Sequence, residues 1–319
     1  MPSRPLPLTY SFQRYLAAKK SVDDRALNRY VWQTLADNLP TSPLGSPLKV
    51  LEIGAGIGTM AERLWDWGLL SSAHYTGIDA QSENVAAGWS RLKSWAAGRD
   101  YQALSTGDRL TFQKGDQLIS IDLQAVDLFD FIAREAEMHA WDLLIAHAFL
   151  DLVNIPSTLP RLFKLLPAGA SFYFSLNFDG GTLFEPSIDP AFDDLVQRLY
   201  HRTMDERLIN GLPSGDSRSG RHLFANLQSN GAQVLAAGAS DWVVFAGPQG
   251  YPADEAYFLH FIIHTINTAL AGHPELDSHR FSAWIQERHT QIEREELVYI
   301  AHQLDYMGQT QSRNPQSRS

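Results

Sequence analysis

Residues Lys49-Val50-Leu51-Glu52-Ile53-Gly54-Ala55-Gly56-Ile57-Gly58 decide the fold. An apolar strand signal runs directly into three glycines at alternate positions, and Thr59-Met60-Ala61-Glu62-Arg63-Leu64-Trp65 then reads as a helix. Glycine has no Cβ, so a ligand or a neighbouring backbone can approach closely and positive φ costs little. The helix that follows aims its first free N–H groups and its positive dipole end at whatever lies over the turn. Such a turn at the carboxyl end of a strand is a nucleotide-type site.

Working outward, His74-Tyr75-Thr76-Gly77-Ile78 reads as a second strand and ends in Asp79, where an open α/β sheet hydrogen-bonds ribose hydroxyls. Strands over 49–54, 74–79, 110–114, 141–147 and 170–178 alternate with helices over 59–67, 82–97 and 156–165, and a further helix is expected over 122–139. This alternation predicts an α/β fold with a doubly wound, mostly parallel sheet. Ahead of it, residues 10–39 carry apolar side chains at helical spacing, and Pro40 to Pro47 is a loop. Beyond it come helices at 190–209 and 219–230, strands at 232–238 and 241–246, and long helices at 254–271 and 278–306. The expected organisation is an N-terminal helical segment over 1–47, a core over 48–247, a C-terminal helical extension over 248–308 and a disordered tail over 309–319.

The glycine spacing is Gly-x-Gly-x-Gly rather than the dinucleotide Gly-x-Gly-x-x-Gly, and Glu52 precedes it. With Gly77-Ile78-Asp79, Lys114-Gly115-Asp116 and Trp141 to His147 following in order, the chain resembles the class I S-adenosylmethionine-dependent methyltransferases. The resemblance covers roughly residues 48 to 180. It implies a Rossmann-like seven-stranded sheet with an antiparallel ending, and S-adenosylmethionine as cofactor. It places Gly54, Ala55, Gly56 and Gly58 beneath the methionine part and ribose, and Glu52 at the ligand's ammonium. Asp79 then falls at the ribose hydroxyls, Ala80 and Gln81 beside the adenine, Asp116 and Gln117 at the adenine amino group, and His147 and Ala148 near the transferable methyl. The plainer alternative is that Asp79 and Asp116 cap the segments that follow them.

Composition narrows the partners. The chain of 319 residues has no cysteine, which excludes disulfides, thiolate–zinc sites and cysteine nucleophiles. Net charge is −10, with pI near 5.5, and no basic run exceeds Lys19-Lys20, which disfavours nucleic acid. The Asn/Asp-Pro-Pro-Tyr motif of nucleic-acid amine methyltransferases is missing after strand four. No apolar run reaches membrane-span length and no signal-peptide pattern opens the sequence, so a cytoplasmic protein is expected.

Methyl transfer is an in-line displacement that needs alignment more than acid–base chemistry, with a base only where the nucleophile must lose a proton. His147 is a candidate base, or a histidine that merely bonds a carbonyl beneath the cofactor. Asp151 caps a helix or faces substrate. Asn177, Asp179 and Gly180-Gly181 close strand five as a turn or a ligand edge. Arg218, Arg221 and His222 are candidates to grip an anionic substrate group, or are neighbours of a helix start capped by Ser217 or Ser219. His260 and His264 stand four apart, at metal-ligand spacing, but no matching carboxylate follows, so packing and no metal are expected. The acceptor implied is a small organic molecule, with the terminal helices as a lid or a homodimer surface. Two further readings are an aminopropyltransferase and a non-catalytic cofactor-binding subunit.

Overall fold

The computed structural model describes residues 6–39, 47–104, 109–135, 138, 140–209 and 211–311. Helices α1 (Phe12–Ala26) and α2 (Arg29–Asn38) precede β1 (Leu48–Ile53), α3 (Thr59–Asp66), β2 (Ala73–Asp79) and α4 (Ser82–Ala97). Then come β3 (Gln102–Ala103), β4 (Leu110–Lys114), β5 (Gln117–Ala125), α5 (Leu128–Glu135), β6 (Leu143–His147), α6 (Ile155–Leu162) and β7 (Ser171–Glu185). The remainder is α7 (Pro190–Asp205), a short hairpin of β8 (Leu208–Ile209) and β9 (Leu212–Pro213), α8 (Ser219–Ser229), β10 (Ala232–Ala239), β11 (Trp242–Val244), α9 (Glu255–Leu270), α10 (Ser278–Glu293) and β12 (Val298–Thr310).

The sheet runs β10-β12-β7-β6-β1-β2-β5-β4-β3, with β11 on the far part of β12. Strands β5, β2, β1, β6 and β7 are mutually parallel, and β12 lies antiparallel between β7 and β10. The expected α/β doubly wound sheet with an antiparallel ending is present, but it has ten strands rather than seven, in part because the antiparallel strands β4 and β3 extend its other edge. Apolar strand residues alternate between two helix layers. Val50, Tyr75, Ile121 and Ile145 pack beneath α1, α2, α3, α4, α7, α9 and α10. Leu51, Ile53, Ile78, Leu144 and Phe172 pack beneath α5, α6 and α8. Helix starts are marked by side-chain caps: Asn28 accepts from the N–H groups of Tyr30 and Val31, and Asp277 from that of Arg280.

Several expectations need correcting. The third strand of the parallel set is β5, not residues 110–114, and the helix expected over 122–139 begins only at Leu128. Residues 110–114 form β4, an antiparallel edge strand joined to β5 by a two-residue turn in which Lys114 faces Gln117 and Gly115 takes φ +57. The helix expected over 278–306 stops at Glu293, and β12 takes the place in the sheet expected of 241–246. The C-terminal extension thus returns its last segment to the sheet. Of the tail expected to be disordered, Gln309 and Thr310 finish β12, and residues 312–319 lie outside the described residues.

Strands β7 and β12 continue well past the ends of their neighbours. His147 closes β6 opposite Ser175, whereas β7 runs on to Glu185, paired with Val298. With β11 this forms an arm beyond the carboxyl edge, and α1 lies across the same edge.

Candidate functional site

At the end of β1 the glycine turn takes left-handed backbone throughout, with φ of +67, +54 and +78 at Gly54, Gly56 and Gly58. An L side chain is strained at such φ, which is why glycines stand there. The Ala55 N–H donates to Ile78 O at 2.9 Å and the Gly58 N–H to Ala55 O at 2.9 Å. Gly58 precedes α3 as a cap without a side chain, so the first amides of α3 have no side-chain capping partner.

Asp79 binds this turn to β2. Its Oδ2 accepts from the Gly56 N–H at 3.0 Å, and its Oδ1 from the Gln81 N–H at 2.8 Å and Asn84 Nδ2 at 3.2 Å. These bonds show Asp79 bracing the turn and the start of the segment that follows it. Ala80 and Gln81 are exposed beside it. The outer side of the turn is covered by the chain itself. A Cβ on Gly54 would stand 2.2 Å from the Phe149 ring, and one on Gly56 would stand 3.2 Å from Leu16 of α1.

Glu52 does not reach the outer side of the turn. It is buried in the α1-side layer and accepts a short hydrogen bond from the Tyr75 hydroxyl. Burial pushes its carboxyl up to about 8, although the Tyr75 bond and the Arg63 charge act in the opposite direction.

Asp116 and Gln117 lie at the wrong end of their strand. Because β5 runs parallel to β2 with Asp79 opposite Ala125, the carboxyl edge is reached at Val126 and Asp127. Gln117 instead accepts from the Tyr101 hydroxyl. Asp127 caps α5 through the Phe129 N–H at 2.7 Å.

His147 sits at the end of β6 with both ring nitrogens committed. Nδ1 is 2.8 Å from the Ser175 hydroxyl and Nε2 is 3.0 Å from Asp23 Oδ2 on α1. Nε2 also stands 3.3 Å from Arg63 Nη1; the shorter contact is to the Asp23 carboxylate, which only accepts and so favours a proton on Nε2 with Nδ1 accepting from Ser175. Burial, with the Lys19 charge second, lowers its pKa to about 4, so the ring is neutral near pH 7. The order Ser175–His147–Asp23 is that of a nucleophile, a base and a carboxylate. All three are buried, Ser175 completely, which closes that chemistry to a substrate.

Asp23 is the hub that sequence reading missed. It also binds Lys19 Nζ at 2.6 Å and Trp242 Nε1 at 3.0 Å, with Arg63 at 3.5 Å. Burial alone would raise its pKa, but Lys19, His147 and Arg63 outweigh it and hold the carboxyl far below the usual range. Arg63 reaches Asp24 at 2.5 Å as well. Nothing in the local pattern of α1 marks these residues, because their partners come from α3, β6 and β11. Next to His147, Ala148 is a non-glycine residue at φ +51, its N–H bonded to Ser175 O. Strain of this kind clusters at functional sites.

The groups expected to grip an anion face carboxylates of their own chain. Arg221 Nε is 2.8 Å from Asp179 Oδ1, and the Arg221 backbone N–H donates to the same oxygen. His222 pairs with Asp216 at 3.1 Å. These contacts lock α8 onto the end of β7, where a Cβ on Gly220 would meet Asn177 O at 2.8 Å. The Ser219 hydroxyl, not Ser217, bonds the Asp216 backbone at this helix start. His260 and His264 do not converge. His260 Nδ1 is 2.9 Å from His289 Nδ1, and His264 stacks on Tyr10. His289 lines a cavity of about 300 Å³ on the α9–α10 surface. Among the described residues no group of His, Asp and Glu is placed to hold a metal ion, and no helix is long and apolar enough to cross a membrane.

No protein-family model and no curated protein matches this chain. Among solved structures, it is similar to a phospholethanolamine N-methyltransferase of Haemonchus contortus in complex with phosphomonomethylethanolamine and S-adenosylhomocysteine. Identity there is 12%, the TM-score is 0.39, and the match covers 96% of this chain and 60% of that one. A geranyl diphosphate C-methyltransferase from Streptomyces coelicolor A3(2) is matched at 9% identity and TM-score 0.42, over 87% of this chain and 75% of that one. A cyclase is matched at 12% identity and TM-score 0.38, over 94% and 93%.

Proposed function

We propose that the protein transfers the methyl group of S-adenosylmethionine to a small organic acceptor in the cytoplasm. The observation that carries this reading is the left-handed glycine turn at the end of β1, tied to Asp79 at the end of β2 and opening directly into α3. A zwitterionic, ribose-bearing ligand suits that constellation. Glycines admit close approach, the α3 amides favour its carboxylate, and the Asp79 carboxylate accepts from a ribose hydroxyl. Ala55, Ala80 and Gln81 stay in this ligand site, and the adenine side passes from Asp116 and Gln117 to the segment at Val126 and Asp127. Ligand entry requires Leu16 and Phe149 to withdraw, so residues 1–47 act as a cover over the core.

When bound, the cofactor supplies a methyl carbon on a positively charged sulfur. The chain's part is to align an acceptor with it and to exclude water. Neutral His147, already committed to Ser175 and Asp23, holds α1 to the sheet rather than acting as a general base.

Calorimetric titration of the purified protein with S-adenosylmethionine, S-adenosylhomocysteine and NAD tests the reading. Micromolar binding of the first two, no response to NAD, and loss of binding in a folded Asp79→Asn variant are expected. Binding of NAD alone would overturn it.

A further inference from the structure

Two apolar side chains lie on the glycine turn, one over each of its first two glycines. The three atoms nearest to a would-be Cβ on Gly54, all within 3.0 Å, belong to the Phe149 ring. Apart from its chain neighbours, the only atom among the described residues within 4 Å of a Cβ on Gly56 is Leu16 Cδ1. Gly54, Gly56, Leu16 and Phe149 are each half-buried, so the contact is a cover at the rim of the fold and not part of its packed interior. A side chain laid on glycine backbone takes the same close approach that a ligand there would need.

Both covers are held in place by the structure around them. Phe149 follows Ala148, whose left-handed backbone at φ +51 is fixed by the bond from its N–H to Ser175 O at 2.8 Å. Strain of this kind persists only where the surroundings impose it. Phe149 then leads into a 3₁₀ turn, its carbonyl accepting from the Leu152 N–H at 2.9 Å. Leu16 is carried by α1, seven residues before Asp23 and so on the same face of the helix. Asp23 Oδ2 is 3.0 Å from Nε2 of His147, two residues ahead of Phe149. One hydrogen bond thus ties the helix that bears one cover to the strand end that bears the other. The start of α9 fastens α1 as well, through Arg14 on Asp254 at 2.8 Å and Arg25 on Glu255 at 2.6 Å.

We propose that Leu16 and Phe149 form a two-part plug that competes with S-adenosylmethionine for the glycine turn, with the Asp23–His147 bond as its latch. This rests on the methyl-transfer reading, which puts the methionine part and ribose of the cofactor against Gly54 and Gly56. The plugged turn and the bound cofactor are then mutually exclusive. Binding lifts the first half of α1 off the turn instead of drawing it down as a lid. Observed affinity is the intrinsic affinity multiplied by the fraction of molecules whose plug is withdrawn, so trimming the plug tightens binding.

Calorimetry with S-adenosylhomocysteine on the full-length wild type, Leu16→Ala and Phe149→Ala tests the plug. Each variant is expected to bind about tenfold or more tightly than the wild type. Leu16→Ala trims a half-buried side chain and keeps the test available should Phe149→Ala melt early. Hydrogen exchange adds a readout without ligand: amides of residues 54–60 should exchange about threefold or more faster in either variant. In the wild type saturated with S-adenosylhomocysteine, residues 12–19 should exchange faster while residues 54–60 slow. Unchanged or weaker binding in either folded variant, unchanged exchange over 54–60, or added protection of 12–19 in the complex overturns the plug and leaves the methyl-transfer reading standing. Absence of binding by all three proteins removes that reading and the plug with it.

Discussion

Glu52 and His147 are both neutral near pH 7, and their titrations pull stability in opposite directions. Glu52 has a folded pKa of about 8 against an ordinary 4.5, so the native state holds a proton that the unfolded chain has lost. Its contribution is complete below about pH 4.5 and declines as pH rises towards 8. His147 has a folded pKa of about 4 against 6.5, so its contribution is complete above about pH 6.5 and is lost as pH falls towards 4. Between pH 4.5 and 6.5 the two slopes oppose each other, so the joint contribution of this pair should vary little. Glu52→Gln should expose the histidine slope, with stability rising from pH 4 to 6.5 by roughly 2–3 kcal/mol at 1.36 kcal/mol per unit. His147→Gln should expose the falling slope instead. Urea denaturation from pH 4 to 8 checks both, and parallel curves for all three proteins would refute the assignment. The glycine turn and Asp79 were legible at this scale because their geometry is written in residue type. Asp23 was not, since a buried aspartate in an amphipathic helix looks like any other until its partners arrive from distant segments.

At the scale of elements, α1 is held by charged and polar contacts as well as by its buried apolar face. Arg25 meets Glu255 of α9 at 2.6 Å, Gln13 meets Asn84 of α4 at 3.0 Å, and Asp23 reaches β6, β11 and α3 together. Removing a buried member of such a network strands its partners. Asp23→Ala should therefore destabilise by about 3–5 kcal/mol. Hydrogen exchange should show protection lost across residues 12–26 while β1, β2 and β6 keep theirs; an even loss over all of them would count against a separately docked helix. The misread elements have physical explanations. Gln117-Leu118-Ile119-Ser120-Ile121-Asp122-Leu123 alternates with period two after a Gly-Asp turn, so β5 was readable as one arm of a hairpin. The buried face of β12 carries Gln303 and Asp305 among Tyr299, Ala301 and Met307, so its alternation is hidden by polar groups. Asp305 accepts from the N–H groups of Asn28 and Leu176, a reason for burial that no local pattern announces.

At the scale of the whole molecule, both helix layers depend on a sheet whose order does not follow the chain. Pairing of β7 with β12 joins Ser171 to Gln309, and β10 reaches the sheet only through β12. Deleting residues 298–311 should leave a protein without fixed tertiary packing, seen as loss of the near-ultraviolet circular dichroism signal. A deleted chain that keeps that signal would mean β7 and β10 can pair directly. The overall α/β class was legible because strand and helix periodicity alternate over residues 48–180. The closing of the sheet was not, because it depends on a partner more than a hundred residues away.

The position of β12 also sets how the protein must be made. As a ribosome releases the chain, β1, β2, β5, β6 and β7 can assemble once residue 185 has emerged, yet the free edge of β7 then waits through more than a hundred further residues. Throughout that interval the β7 edge is open to pairing with another nascent copy. Synthesis rate and chaperone occupancy over that stretch, rather than the stability of the finished fold, should govern how much of this protein a cell recovers.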